Sequence, residues 1–183
     1  MTLSKQIQQA IQQLQGTIGS NPASARAQFR ANTVSEEDGF STVSTVRGFK
    51  VSLDEPAELG GANTGPNPVE AVLAALGSCQ AIVYRAYANA LGLRVDRVEV
   101  EARGLLDLRG FLGNPAVPAG FERVTFSTRI SSPESGERIT ELARTVEAHC
   151  PVLDILRRSV PVAGELEHVQ TATVAGASAR DAA

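Results

Sequence analysis

The chain has little of several things that would assign it quickly: no tryptophan, 4% aromatic residues, two histidines and two cysteines in 183 positions. Without a basic block to neutralise phosphates or aromatics to stack on bases, and with a net charge of -3, it offers nothing for nucleic acid to bind. Two cysteines, Cys79 and Cys150, standing 71 positions apart, fit neither a four-ligand zinc site nor a CxxC motif. No continuous apolar segment opens the sequence: glutamines interrupt the pairs of MTLSKQIQQAIQQLQ, so a secretory signal is not expected and a cytoplasmic location is. The longest apolar stretch, 71–91, is broken by Ser78, Gln80, Arg85 and Asn89, and is expected to form a buried helix with no membrane role.

What is present is enough apolar sequence, 43%, for one sizeable core. Ile7, Ile11, Leu14 and Ile18 recur at helical spacing and predict an amphipathic helix ending near Gly19, an appendage over residues 1–22. The core domain is expected over 23–169, and 170–183, small and polar, as a flexible tail. Three antiparallel strands are predicted over 27–34, 40–46 and 49–53, with turns at Asp38-Gly39 and Arg47-Gly48. Val95, Val98 and Val100 suggest a fourth strand, and Val124, Phe126, Thr128 and Ile130 alternate as a fifth. Gly110 to Gly120, with two prolines and three glycines, reads as a loop. Ile139, Leu142, Ala143, Val146 and Cys150 follow at steps of three and four, placing Cys150 on the apolar stripe of a second long helix, and Pro151 starts a short one. Strands gathered around separated helices, without βαβ alternation, indicate an α+β fold.

The central helix opens at Asn67-Pro68-Val69-Glu70: Asn67 can cap, proline suits the first position, and Glu70 can close a capping box, so Glu70 has a structural explanation of its own. Cys79 sits mid-helix, beyond the reach of the N-terminal amides, so activating its thiol requires a cation. Arg30, Arg47 and Arg85 are the candidates, although Arg85, six residues on, is rotated by about 240° from Cys79. On composition alone the thiols are either buried and inert or a reactive pair brought together by folding.

The runs DEPAELGGANTGPNPVEAVLAALGSCQAIV (54–83) and EAHCPVLDILRRSVPV (147–162), joined by LLDLRGFLGNPAVPAGFERV (105–124), resemble the superfamily of osmotically inducible protein C and organic hydroperoxide resistance proteins. The resemblance covers roughly residues 25 to 165 and looks like a divergent branch. It implies antiparallel sheets around a buried central helix, an intertwined homodimer with active sites at the subunit interface, and a cysteine-based peroxidase acting on organic hydroperoxides. Cys79 would be the peroxidatic residue and Cys150 the resolving one, with no bound cofactor and an external dithiol as reductant. In the family's best-understood peroxidases an early-strand arginine activates the thiolate and a glutamate directly after the proline holds that arginine. Here Glu37 and Val69 stand at those places, so the acid is displaced to Glu70, and Arg47 or Arg30 would have to substitute.

Three other readings stay beside this one. An OsmC-like dimer without fast peroxidase activity would bind a small apolar ligand in the same interfacial pocket. His149, next to Cys150, could serve as a base, although helix neighbours point about 100° apart. A cysteine hydrolase built on Cys79 with His149 or His168 is weaker, because a mid-helix nucleophile lacks the amides of an oxyanion hole. The loop Gly60-Gly61-Ala62-Asn63-Thr64-Gly65 has no following Lys-Ser/Thr and reads as a turn into the central helix, not as a phosphate loop.

Overall fold

The computed structural model describes residues 3–35 and 38–170, so Glu37 and residues 171–183 of the expected tail lie outside the described residues. The chain runs α1 (Leu3–Ser20), β1 (Asn32–Ser35), β2 (Thr42–Val46), β3 (Phe49–Leu53), α2 (Pro68–Ala90), β4 (Arg97–Leu106), α3 (Leu108–Phe111), β5 (Phe121–Ser131), α4 (Gly136–His149) and α5 (Pro151–Arg157). The α+β expectation is met, with two antiparallel sheets: the meander β1-β2-β3 and the hairpin β4-β5.

The first strand is shorter than expected. Pairing begins at Asn32↔Thr45, and Ala27 to Ala31 belong to no strand. The reason lies in the partner: β2 ends at Val46, where Arg47 turns the chain at φ 57 into β3, so nothing runs alongside the earlier residues. The second strand likewise starts at Thr42, not at Phe40, whose ring lies against Gly60. Val95 also falls outside its expected strand, because the Arg85 guanidinium takes the carbonyls of Val95 and Asp96, and the ladder starts at Arg97. The expected loop after β4 opens with the single turn α3, capped by Asp107, whose carboxylate accepts from the Arg109 amide at 3.0 Å.

Helix α2 organises the rest. Its start is the expected capping box: the Glu70 amide donates to Asn67 Oδ1 and the Asn67 amide to Glu70 Oε2, both at 2.8 Å. At 23 residues it is long and apolar enough to cross a membrane by length and composition, which corrects the reading that it falls short. What the fold does with it is different. Leu76, Gln80, Tyr84 and Ala88, each four residues from the next, form a buried stripe against β4, α4 and α5. One core cluster joins Tyr84, Ala88 and Val95 to Leu142 and Val146 of α4; a second joins Leu76 to Cys150 and Leu153. Away from the end that α1 contacts, the opposite face of α2 is left open among the described residues: Ile82 is 68% exposed. The β1-β2-β3 sheet makes its substantial contacts only within itself, leaving Phe49 64% exposed.

The loop that delivers the chain to α2 is tied by Asp54. Its carboxylate is buried and accepts from the Thr64 amide (3.1 Å), the Thr64 hydroxyl (2.8 Å) and the Glu55 amide (2.8 Å). These donors, Thr64 foremost, hold its pKa below the ordinary 3.8, against the opposing effect of burial. A depressed folded-state pKa stabilises the fold above the unfolded value and loses that contribution as pH falls through the folded one. Asp54→Asn should therefore lower unfolding stability at pH 7, and the gap to wild type should narrow below about pH 3.8 in denaturant titrations. A gap independent of pH down to acid unfolding would contradict this role.

Candidate active site

The two cysteines meet. Cys79 is half-buried on the third turn of α2, and Cys150 is fully buried where α4 gives way to α5. Cys150 is not on the stripe of α4, as its spacing suggested: the helix ends at His149, and Cys150 takes an extended conformation, φ -81 and ψ 112. Pro151 is the cause. A residue before proline is driven out of the helical region, and proline is well placed to begin the next helix. The break turns the Cys150 side chain towards α2, and its thiol donates to Cys79 Sγ across 3.4 Å. Both thiols are free. The sulfurs are in van der Waals contact and need close by only about 1.4 Å to reach the roughly 2.05 Å of a disulfide.

The surroundings of the pair are apolar: Leu76 on α2, Ala102 on β4, Val124 and Phe126 on β5, and Val152 and Leu153 on α5. Burial pushes the Cys150 thiol above its ordinary value. The Leu153 amide at the start of α5 opposes this, the neighbouring Cys79 sulfur adds to it, and the Val152 amide opposes it again. Cys150 is thereby kept as a thiol, suited to give up a proton in a later step and poorly suited to attack first. The more accessible Cys79 is the sulfur a substrate can reach.

The other candidates lie elsewhere. Glu70 is engaged in its capping box with Asn67 at the start of α2, about two and a half turns before Cys79 and on the opposite face. Arg47 lies at the β2–β3 turn with its guanidinium over the Phe49 ring at 5.2 Å, and it lines a surface cavity with Arg30 and Phe29. Neither Arg30 nor Arg47 has an ion-pair partner among the described residues. Arg85 is bound to the carbonyls of Val95 and Asp96 and is not available to Cys79, in line with its helical phase. His149 turns its ring to the Thr145 carbonyl (2.8 Å) and to Tyr87, 5.2 Å between centroids, and so does not address the cysteines. His168 lies exposed in the irregular segment after α5. No hydrogen bond or ion pair joins an arginine to either sulfur among the described residues.

The profile of OsmC-like proteins matches residues 60–165, a span that holds both cysteines, α2, and the break between α4 and α5. The chain belongs to the OsmC-like family. An uncharacterised protein of Haloferax volcanii is 31% identical over 129 residues, covering 70% of this chain and 86% of that protein. Among solved structures, an OsmC-like protein from Mycoplasma pneumoniae superposes with a TM-score of 0.63 at 21% identity, over 73% of this chain and 89% of that one. An organic hydroperoxide resistance protein OsmC from Legionella pneumophila gives 0.54 at 22% identity, over 72% and 90%. These likenesses establish the shared fold.

Sequence reasoning on this OsmC-like protein missed the walls of the thiol pocket. The alternation of Val124 and Phe126 marked them as inward-facing, but which cluster they would join depends on β4-β5 packing under α2, a tertiary fact. From the geometry, iodoacetamide at pH 8 should alkylate Cys79 well before Cys150, and Cys150 should become reactive only on unfolding or at pH above the ordinary thiol range. Peptide mapping after timed quenching reads this; equal modification of both thiols in the folded protein would contradict it.

Proposed function

We propose that this protein is a thiol peroxidase that reduces organic hydroperoxides through Cys79 and Cys150, working as an intertwined homodimer. The observation that carries the reading is the 3.4 Å approach of two free thiols, one half-buried on α2 and one buried at the break between α4 and α5. The Cys79 thiolate attacks the peroxide: the O–O bond breaks, an S–O bond forms, and the leaving alkoxide takes a proton to depart as an alcohol. The Cys150 thiol then displaces hydroxide from the sulfenic acid, forming the disulfide and water. An external dithiol restores both thiols and is itself oxidised; no bound cofactor takes part. The apolar wall favours alkyl hydroperoxides over hydrogen peroxide, each buried methylene contributing about 0.8 kcal/mol. The organic hydroperoxide resistance protein of Legionella pneumophila, which shares the fold, is named for this substrate class.

The homodimer is supported by what one chain leaves uncovered. Along α2 the small residues Ala74, Gly77, Ser78 and Ala81 line a shallow cleft with Val100, suited to close approach of another backbone. Val72, Ile82 and the sheet residues Phe49 and Val51 are all exposed apolar groups awaiting a partner surface. A partner's β2–β3 turn and the segment ahead of its β1 would also bring Arg47 or Arg30 to thiols that no arginine contacts among the described residues. That lack favours the second reading, a dimer holding a small apolar ligand beside slow thiols.

Two measurements separate these. Pure protein with a dithiol should consume cumene hydroperoxide, Cys79→Ser should lose the activity, and Arg47→Ala or Arg30→Ala should slow it at least about tenfold if that arginine stabilises the thiolate. A wild type no faster than Cys79→Ser refutes the peroxidase. Light scattering should give about 38 kDa, twice the 19.2 kDa chain; a monomer at micromolar concentration refutes the interfacial site.

A further inference from the structure

The peroxidase reading leaves one step without a place in the fold: the return of the disulfide to two thiols. A reducing thiolate must attack one of the two sulfurs in line with the S–S bond and expel the other as a thiolate. Attack at Cys79 would put that charge on Cys150, where burial disfavours it and holds the thiol above its ordinary value. Attack at Cys150 expels the half-buried Cys79 instead. The chemistry therefore selects the sulfur that the fold conceals, since Cys150 is only 1% exposed.

A cleft of about 390 Å³ adjoins this enclosure. Leu76, Val124, Phe126 and Leu153 line it, and all four belong to the cluster that holds Cys150. Leu156, 39% exposed, and Arg157 stand at its rim. Neither cysteine is among the residues lining it, so one layer of side chains separates the cleft from the sulfur. In-line attack on Cys150 has to come from the side opposite Cys79, and so away from α2. The members of that layer from outside α2 are Leu153 of α5 and Val124 and Phe126 of β5. Strand β5 is paired with β4 from Phe121 to Ser131 and is fixed. Helix α5 is not: seven residues are too few to be stable alone, its N-cap Cys150 makes no capping bond through its side chain, and Leu153 is its only buried residue. An exposed ion pair, Arg157 to Glu147 at 2.9 Å, ties its end to α4.

We propose that this cleft admits the reducing dithiol to Cys150, with α5 as a cover that swings aside about the Cys150–Pro151 break. The proposal rests on the cysteine couple of the peroxidase reading and supplies its regeneration step. One thiolate of the dithiol bonds to Cys150 Sγ, the Cys79–Cys150 bond breaks, and Cys79 leaves as a thiolate that takes up the proton the reductant lost. The second thiol of the reductant, on losing its proton, attacks the reductant sulfur bound to Cys150, closes the reductant's own disulfide and releases Cys150 to be protonated. The oxidised pair needs no thiolate at Cys150, so the sulfur that resists alkylation when reduced is open to attack when oxidised.

The test uses the full-length protein oxidised with diamide, which makes the disulfide without a peroxide. Brief exposure to 2-mercaptoethanol, a quench with excess N-ethylmaleimide and peptide mapping should find the mercaptoethanol adduct on Cys150 and the maleimide on Cys79. An adduct on Cys79 in half or more of the molecules would overturn the proposal and leave the peroxidase intact. Leu156→Trp, which fills the cleft, should slow reduction of the disulfide by dithiothreitol at least about fivefold, and Arg157→Ala, which frees the end of α5, should speed it about two- to fivefold, the scale of an exposed ion pair. An unchanged rate in folded Leu156→Trp would overturn the cleft, and an Arg157→Ala no faster than wild type would overturn the cover. If Leu156→Trp fails to fold, the adduct map decides alone. Protein that forms no intrachain disulfide with diamide would overturn this step and the cysteine couple together, whereas a protein that consumes no hydroperoxide but still takes the adduct on Cys150 would overturn the peroxidase alone.

Discussion

The structure depends on the peptide linking Cys150 to Pro151. Proline can neither donate the next helical hydrogen bond nor tolerate a helical predecessor, so α4 must stop and Cys150 must extend. Had the helix continued, Cys150 would have stayed in the row of Leu142 and Val146. The break swings it into the other cluster, against Leu76 and Cys79, and starts α5, whose first amides face the sulfur. One backbone constraint thereby joins two thiols that the sequence holds 71 positions apart.

The division of labour between the thiols follows from where this leaves them. Cys150 is sealed by Leu153 and the β5 side chains, and desolvation keeps it protonated; Cys79 stays partly open on a helix whose outer face is uncovered. In a low-dielectric pocket, neutral thiols and neutral alkyl chains are accommodated at little cost, whereas a thiolate needs a charge partner. Arg47, at the β2–β3 turn, and Arg30, just ahead of β1, have no ion-pair partners among the described residues and flank a sheet against which no described helix packs substantially. The exposed helix face and the cations without ion-pair partners both agree with the second chain proposed above.

Much of this was legible in the sequence because it is local. Asn67-Pro68-Val69-Glu70 announces a capped helix through its own side chains, and the observed capping box needs no tertiary help. Cys-Pro announces a break, although the spacing of Ile139, Leu142, Val146 and Cys150 disguised which side of it the cysteine would occupy. Strand limits were less legible: the stretch from Ala27 to Val34 reads as one strand by composition, but a strand needs a neighbour, and β2 turns away at Arg47 before it can pair with Ala27 to Ala31. The burial of Gln80 could not be read at all. A glutamine that interrupts an apolar stretch gives no sign in the sequence that its side chain will be fully enclosed.

The proposed peroxidase requires Cys79 and Cys150 to be one redox couple. Non-reducing peptide mapping by mass spectrometry, after one equivalent of cumene hydroperoxide per chain, tests this directly. A single cross-linked species joining the Cys79 and Cys150 peptides within one chain, reversed by dithiol, is expected. Recovery of both cysteines as free thiols, or of Cys79 cross-linked only to another chain, would contradict it.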